Sequence, residues 1–209
     1  MSAKHDLSNP VTPPAHGGAA LRVLALPGSL RRASYNRALL AAAAALAPAG
    51  MTIELADAPA LPLFDEDLEQ ATQGGPDAVR QLRARVAAAD GLLIATPEYN
   101  QSLPGVLKNA IDWLSRPWPD EVLAGKPVAV IGASSGRWGT RLAQAALRQV
   151  LYATEARVLP APNLYVREAE HLFDAGGRLQ DAATFESLAA VLSAFARWIA
   201  LGRSAGVAA

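Results

Sequence analysis

Apolar and polar positions alternate in blocks along this chain. Leu21 to Leu26 (Leu-Arg-Val-Leu-Ala-Leu) is a short apolar run ended by Pro27-Gly28, the length of a buried strand and too short for a helix. Thr52 to Ala56, Gly91 to Thr96, Pro127 to Ala133 and the shorter Ala156 to Leu159 read the same way. Between them lie stretches with helical spacing. Asn36 to Ala47 is rich in Ala and Leu and stops at Pro48-Ala-Gly50. Asp77 to Ala89 spaces Val79, Leu82 and Val86 on one face, with an acid in its first turn. Pro104 to Leu114 carries Val106, Leu107, Ala110, Ile111 and Leu114 on one stripe. Trp138 to Tyr152 and Ala182 to Leu201 complete the set, the latter with Phe185, Leu188, Leu192, Phe195 and Ile199 in step. Pro59 to Gly75 has no period and is expected to be a loop.

Strands alternating with helices predict an α/β fold with a doubly wound parallel sheet. Five strands at this spacing fit the order 2-1-3-4-5, in which strands 1, 3 and 4 are neighbours. Residues 1–20 are polar, carry Pro and Gly, and lack the apolar segment of a secretory signal, so they are expected to be a disordered leader. The folded domain is expected over 21–202 and a flexible tail over 203–209.

The turns after strands 1, 3 and 4 are the polar ones: Gly28-Ser-Leu-Arg-Arg-Ala-Ser-Tyr-Asn36, Pro97-Glu-Tyr-Asn100 and Ser134-Ser-Gly-Arg-Trp-Gly139. Turns at the carboxyl ends of parallel strands line the ligand crevice, so all three should converge on one site. The first runs into a helix start, which favours an anion. Ser29, Ser34 and Asn36 add short polar side chains, and Arg31 adds a phosphate-matching fork. Ser34 is equally suited to cap the helix. The segment is neither a P-loop nor Gly-x-Gly-x-x-Gly. In the second turn, backbone donors and Asn100 suit the polar edge of a flat ring, and Tyr99 can pack beside it. In the third, Ser134, Ser135 and Gly136 bring further donors, and Gly139 starts the next helix tightly. A phosphorylated aromatic cofactor, most simply FMN, fits this set.

Equal numbers of acidic and basic side chains (19 each) give no reason to expect nucleic acid or an anionic membrane as a partner. The absence of cysteine removes disulfides, thiolate catalysis and Cys-ligated metals, and it fits a cytoplasmic location. The acidic run Asp65, Glu66, Asp67 and Glu69 reads as a solvated loop, and no metal site is expected. Gly132-Ala-Ser134-Ser-Gly136 also matches Gly-x-Ser-x-Gly, the nucleophile elbow. A Ser-His-acid hydrolase built on Ser134 would need His171, with Glu155, Glu168 or Glu170 behind it.

Over about Leu21 to Leu201 the chain resembles the NADPH-dependent FMN reductase family, which has the flavodoxin-like fold and includes quinone, azo-dye and chromate reductases. The resemblance rests on the first turn, on Thr96 to Trp113 (Thr-Pro-Glu-Tyr-Asn-Gln-Ser-Leu-Pro-Gly-Val-Leu-Lys-Asn-Ala-Ile-Asp-Trp) and on Gly132 to Gly139. It implies a three-layer sandwich and an FMN-dependent enzyme. Hydride would pass from NADPH or NADH through bound FMN to a small acceptor: a quinone, an azo compound, free flavin or a metal oxyanion. By resemblance Ser29, Arg31, Ser34 and Asn36 would hold the FMN phosphate. Pro97, Glu98, Tyr99 and Asn100 would line the isoalloxazine, and Ser134, Ser135, Gly136 and Gly139 would close its other side. Many relatives carry a second glycine after the position of Gly139, where this chain has Thr140. The resemblance also implies a homodimer or homotetramer, and no indispensable acid–base side chain. A flavodoxin-like electron carrier is the remaining alternative, although such carriers are often strongly acidic.

Overall fold

The computed structural model describes residues 20–205. Six strands, β1 (Leu21–Pro27), β2 (Met51–Leu55), β3 (Gly91–Ala95), β4 (Pro127–Ala133), β5 (Arg157–Val158) and β6 (Leu164–Val166), form one sheet in which every pairing is parallel. Its order is β2-β1-β3-β4-β5, with β6 also paired to β4.

The helices are α1 (Tyr35–Ala45), α2 (Glu66–Ala71), α3 (Asp77–Ala88), α4 (Gly105–Leu114), α5 (Arg141–Ala153) and α6 (Ala182–Ala205). Both sheet faces are covered, so the strands bury both parities of side chain. Val23, Ala25, Leu93, Ala95, Ala129 and Ile131 face α1 and α6. Leu24, Leu26, Leu92, Ile94, Val128 and Val130 face the apolar stripes of α3, α4 and α5. The result is a three-layer flavodoxin-like sandwich with its core on either side of β1, β3 and β4.

Three features depart from the sequence expectation. The single last strand is two: β5 pairs with the start of β4 and β6 with its end. Pro160 and Pro162 lie between them, and residues without a backbone N–H cannot continue a ladder. The segment 59–75 contains α2, because Asp65 caps it by accepting from Asp67 N at 2.9 Å. The acidic run is therefore the start of a helix, and its buried Glu69 pairs with Arg116 at 3.0 Å. Finally, α6 continues to Ala205, past the expected start of the tail at 203. By length and composition α6 could cross a membrane, with mean hydropathy 1.3 over 182–203. Its buried stripe, Leu188, Val191, Leu192, Phe195 and Ile199, is instead spent on the sheet. At about 1.5–3 kcal/mol for each buried side chain, that packing is worth several kcal/mol. The expected leader and the end of the tail, residues 1–19 and 206–209, lie outside the described residues.

Candidate functional site

The ends of β1, β3 and β4 bring the three polar turns to one cleft. It measures about 160 Å³ and is lined by Ser29, Arg31, Ser34, Tyr35 and Asn36 from the first turn, Pro97, Glu98 and Tyr99 from the second, and Ala133, Ser134 and Ser135 from the third. The turns meet closely: Gly28 N donates to Ala95 O at 2.8 Å. A Cβ on Gly28 would sit 3.1 Å from that same carbonyl and 3.2 Å from Pro97 Cδ, so a side chain there would wedge the first two turns apart.

The first turn ends at the N-terminus of α1. Ser34 is extended (φ −85°, ψ 124°) and its hydroxyl accepts from Arg37 N at 3.4 Å, which makes it the N-cap. That long bond satisfies one of the orphan donors, while the other first-turn N–H groups have no intrahelical acceptor. Ser29 and Ser34 are buried beside them, and Arg31 is exposed. Hydroxyls, a helix start and a guanidinium with no acidic partner among the described residues are a donor set for a phosphate monoester.

Asn36 sits differently from the phosphate ligand expected of it. It is buried, its Nδ2 donates to Ala133 O at 2.9 Å and its Oδ1 accepts from Ala133 N at 2.9 Å. Both polar ends thus tie α1 to the end of β4, and only the second amide hydrogen is left over.

The second turn is a two-residue reversal. Tyr99 and Ser102 exchange backbone bonds of 3.0 Å, with Asn100 (φ 51°) and Gln101 (φ 62°) in the left-handed region between them. Asn100 forms the exposed tip and is not among the residues lining the cleft. Glu98 lines the cleft, and its Oε2 accepts from Leu142 N at 2.8 Å and Ala143 N at 3.0 Å. Thr140, the residue before α5, makes no side-chain cap of its own. Glu98 therefore caps α5 from another segment, where a carboxylate also meets the positive end of the helix dipole.

In the third turn Ser134 Oγ accepts from Gly136 N at 3.0 Å, and Gly136 O accepts from Gly139 N and Glu168 N, each at 3.3 Å. Gly139 is buried at φ 64°, and a Cβ there would meet Tyr165 at 3.1 Å. Gly136 and Gly139 thus hold the shape of the turn, and Ser134 and Ser135 face the cleft. Thr140 is fully buried and accepts from Gln144 Nε2 at 3.0 Å. Its hydroxyl fills the space beside Gly132, where any Cβ would collide with Thr140 Oγ1 and Thr96 O.

Two lining residues, Tyr35 and Ala133, were not singled out from the sequence. Tyr35 packs on Phe173 at 5.6 Å between ring centroids. Tyr35 stood inside the first motif, whereas Ala133 carries no chemical signal beyond its place at a strand end. Tyr99, which lines the cleft, is exposed, as are the apolar side chains of Leu30 in the first turn, Trp138 in the third and Leu142 in α5. Arg137 stacks over Trp138 at 4.9 Å.

The nucleophile reading of Ser134 gains nothing from this geometry. His171 is largely exposed, and its Nε2 lies 3.5 Å from Glu170 Oε1. It lines a different groove, with Arg167 and Asp181, and among the described residues no hydrogen bond joins it to Ser134.

Residues 21–171 match the family model described as NADPH-dependent FMN reductase. The chain is 48% identical over 179 residues to an NAD(P)H-dependent FMN reductase of Pseudomonas aeruginosa, covering 86% of this chain and 95% of that protein. It is 41% identical over 180 residues to a 2-hydroxy-1,4-benzoquinone reductase from a Burkholderia species, covering 86% and 97%. Among solved structures, the flavoenzyme NAD(P)H:(acceptor) oxidoreductase FerB from Paracoccus denitrificans superposes with a TM-score of 0.80 at 35% identity, over 88% of this chain and 99% of that one.

Proposed function

The chain belongs to the NADPH-dependent FMN reductase family, and from that premise we propose that its three-turn cleft holds FMN and that its acceptor is a quinone. The observation that carries the reading is the meeting of a phosphate-type donor set and an aromatic rim in one cleft, on the strand ends where this fold places ligands. When bound, FMN supplies the two-electron chemistry, with NAD(P)H as donor and a small molecule as acceptor.

The protein's part is binding, orientation and electrostatics. Arg31, Ser29, Ser34 and the α1 N-terminus hold the phosphate. Pro97, with the backbone of Glu98 and Tyr99, borders the ring, and Ser134 and Ser135 border its other side. Glu98 and Asn36 act one step further out, fixing the third turn against the second and the first. Donors held rigidly in this way stabilise negative charge on the bound ring without reorganising. No side chain is needed to move a proton in this account.

The quinone assignment draws on the relatives named as quinone reductases, 41% and 40% identical over 86% of this chain. The cleft supports it: the exposed Tyr99 in its lining offers a flat face to a flat acceptor. The protein works as a homodimer or homotetramer in this reading. A groove of about 670 Å³ beside α4 and α5, lined by Leu103, Ile111, Val150 and the exposed Trp118, is the surface offered to a second copy. A cytoplasmic location fits the cysteine-free chain and a dinucleotide donor.

Steady-state oxidation of NADPH with 1,4-benzoquinone tests the reading. Protein loaded with FMN should turn over, and protein stripped of FMN should not until FMN is restored. Equal rates with and without FMN would count against it.

A further inference from the structure

A second groove, of about 470 Å³, opens beside the cleft and shares Arg31, Ser34 and Tyr35 with it. At that volume it falls within the size range of small-molecule sites. Three guanidinium groups line it, Arg31, Arg32 and Arg37, all on exposed side chains. Among the described residues, Arg31 and Arg32 have no acidic partner, and Arg37 has only Asp57 at 3.7 Å, itself 96% exposed. So open a pair, with its partner in water, binds weakly and yields to a better anion.

The acid that lines the groove is already engaged. Asp174 accepts from Gly176 N at 2.9 Å, Arg178 N at 2.8 Å and Arg178 Nε at 2.8 Å. The groove therefore presents two guanidinium groups with no acidic partner among the described residues, Arg31 and Arg32, and a third, Arg37, whose only partner is the water-exposed Asp57. Its remaining wall is apolar and backbone-like: Ala38, Ala41, Leu55 and the chain at Gly176 and Gly177. A basic rim above a small apolar floor suits a phosphate carried on a sugar or a flat base better than a bare ion. Arginine forks match phosphate oxygens in pairs.

Resting on the reductase reading above, we propose that this groove receives the adenosine 2′-phosphate of the dinucleotide donor, so that Arg32 and Arg37 make the enzyme prefer NADPH to NADH. Arg31 belongs to the shared wall and serves the cofactor phosphate. Arg32 and Arg37 line only the second groove, so they can set donor preference without touching FMN retention. NADH lacks the 2′-phosphate and would leave Arg32 solvated and Arg37 with its exposed partner Asp57, as they are without a donor.

The test uses full-length protein loaded with FMN, as wild type and as Arg32→Ala, Arg37→Ala and the double variant. Adenosine 2′,5′-bisphosphate and 5′-AMP are titrated calorimetrically. The wild type should bind the bisphosphate at least ~10-fold tighter than 5′-AMP, and the double variant should lose that difference. In steady state, KM for NADPH should rise ~10-fold or more in the double variant while KM for NADH stays put. Arg37→Lys, which keeps the charge, should recover part of the loss.

Equal bisphosphate affinity in wild type and double variant would overturn the proposal. So would parallel rises in KM for both donors, or inorganic phosphate competing as well as the bisphosphate does. FMN retention and NADH oxidation are read on the same preparations. If both persist while the bisphosphate shows no preference, the groove assignment alone falls. A wild type that holds no FMN overturns both readings.

Discussion

Asn36 and Ala133, 97 positions apart, exchange two hydrogen bonds of 2.9 Å, with the Asn36 side chain standing in for a neighbouring strand. The pairing closes the gap between the start of α1 and the end of β4, and so fixes the first turn relative to the third. Ala133 ends the β4 ladder where backbone groups would otherwise lack partners, and a buried unpaired group costs about 1–3 kcal/mol.

Asn36→Ala therefore strands one buried N–H and one buried C=O. We expect a loss of ~2–5 kcal/mol in urea unfolding, along with weaker FMN retention because two walls of the cleft come loose. Asn36→Asp keeps the acceptor and loses the donor, and should fall between the two. Wild-type stability in Asn36→Ala would mean the pair does not brace the site.

Arg31 faces the cleft with no acidic partner among the described residues. Arg31→Ala should raise the FMN dissociation constant by ~10-fold or more, as loss of a charge-assisted bond implies. Turnover at saturating FMN should change little. An unchanged FMN affinity, measured by fluorescence titration, would remove Arg31 from the phosphate site.

Glu98 caps α5 across 44 positions of chain. Glu98→Ala should cost ~0.5–2 kcal/mol of stability, the range for a lost N-cap. Glu98→Gln keeps an acceptor but gives up the interaction with the helix dipole, and should cost less. A Glu98→Gln protein that keeps its fold but loses all FMN binding would show that the carboxylate meets the cofactor directly.

Asp90 accepts from Arg22 N at 2.7 Å and pairs with Arg203 at 2.5 Å, joining β1 to the end of α6. Partial burial works against its charge, but the Arg22 N–H and the two guanidinium groups outweigh it and lower its pKa. A depressed carboxylate stabilises the fold above its unfolded pKa of ~3.9 and loses that contribution as pH falls through the folded value. Asp90→Asn should thus be less stable than wild type at neutral pH, with the difference shrinking below about pH 4. A constant difference from pH 7 to pH 3, followed by thermal melts, would contradict this.

Much of the fold was legible because both signals it rests on are local. Runs such as Gly91 to Ala95 are buried on both faces and read as continuous apolar blocks, and helices such as α4 carry a single stripe. The split of β5 from β6 was not legible, since three residues, Leu164 to Val166, are too few to show a period. In the site, local chemistry marked the right turns but not the duty of each side chain within them. Asn36, Glu98 and Gly139 look like ligand residues in the sequence. In the fold their partners are Ala133, the α5 N-terminus and Tyr165, which only the tertiary structure brings near. Asn109 and Trp113, within the longest family segment, likewise hold the loop at Pro62 through bonds of 2.9 and 2.8 Å.

The central claim, that the three-turn cleft holds FMN reducible by NADPH, is tested most directly by the visible spectrum. Purified protein is mixed with FMN, gel-filtered and then given NADPH without oxygen. The account predicts a retained yellow flavin band that bleaches on NADPH. A protein that emerges colourless, or a retained band that NADPH and NADH both leave unbleached, would contradict it.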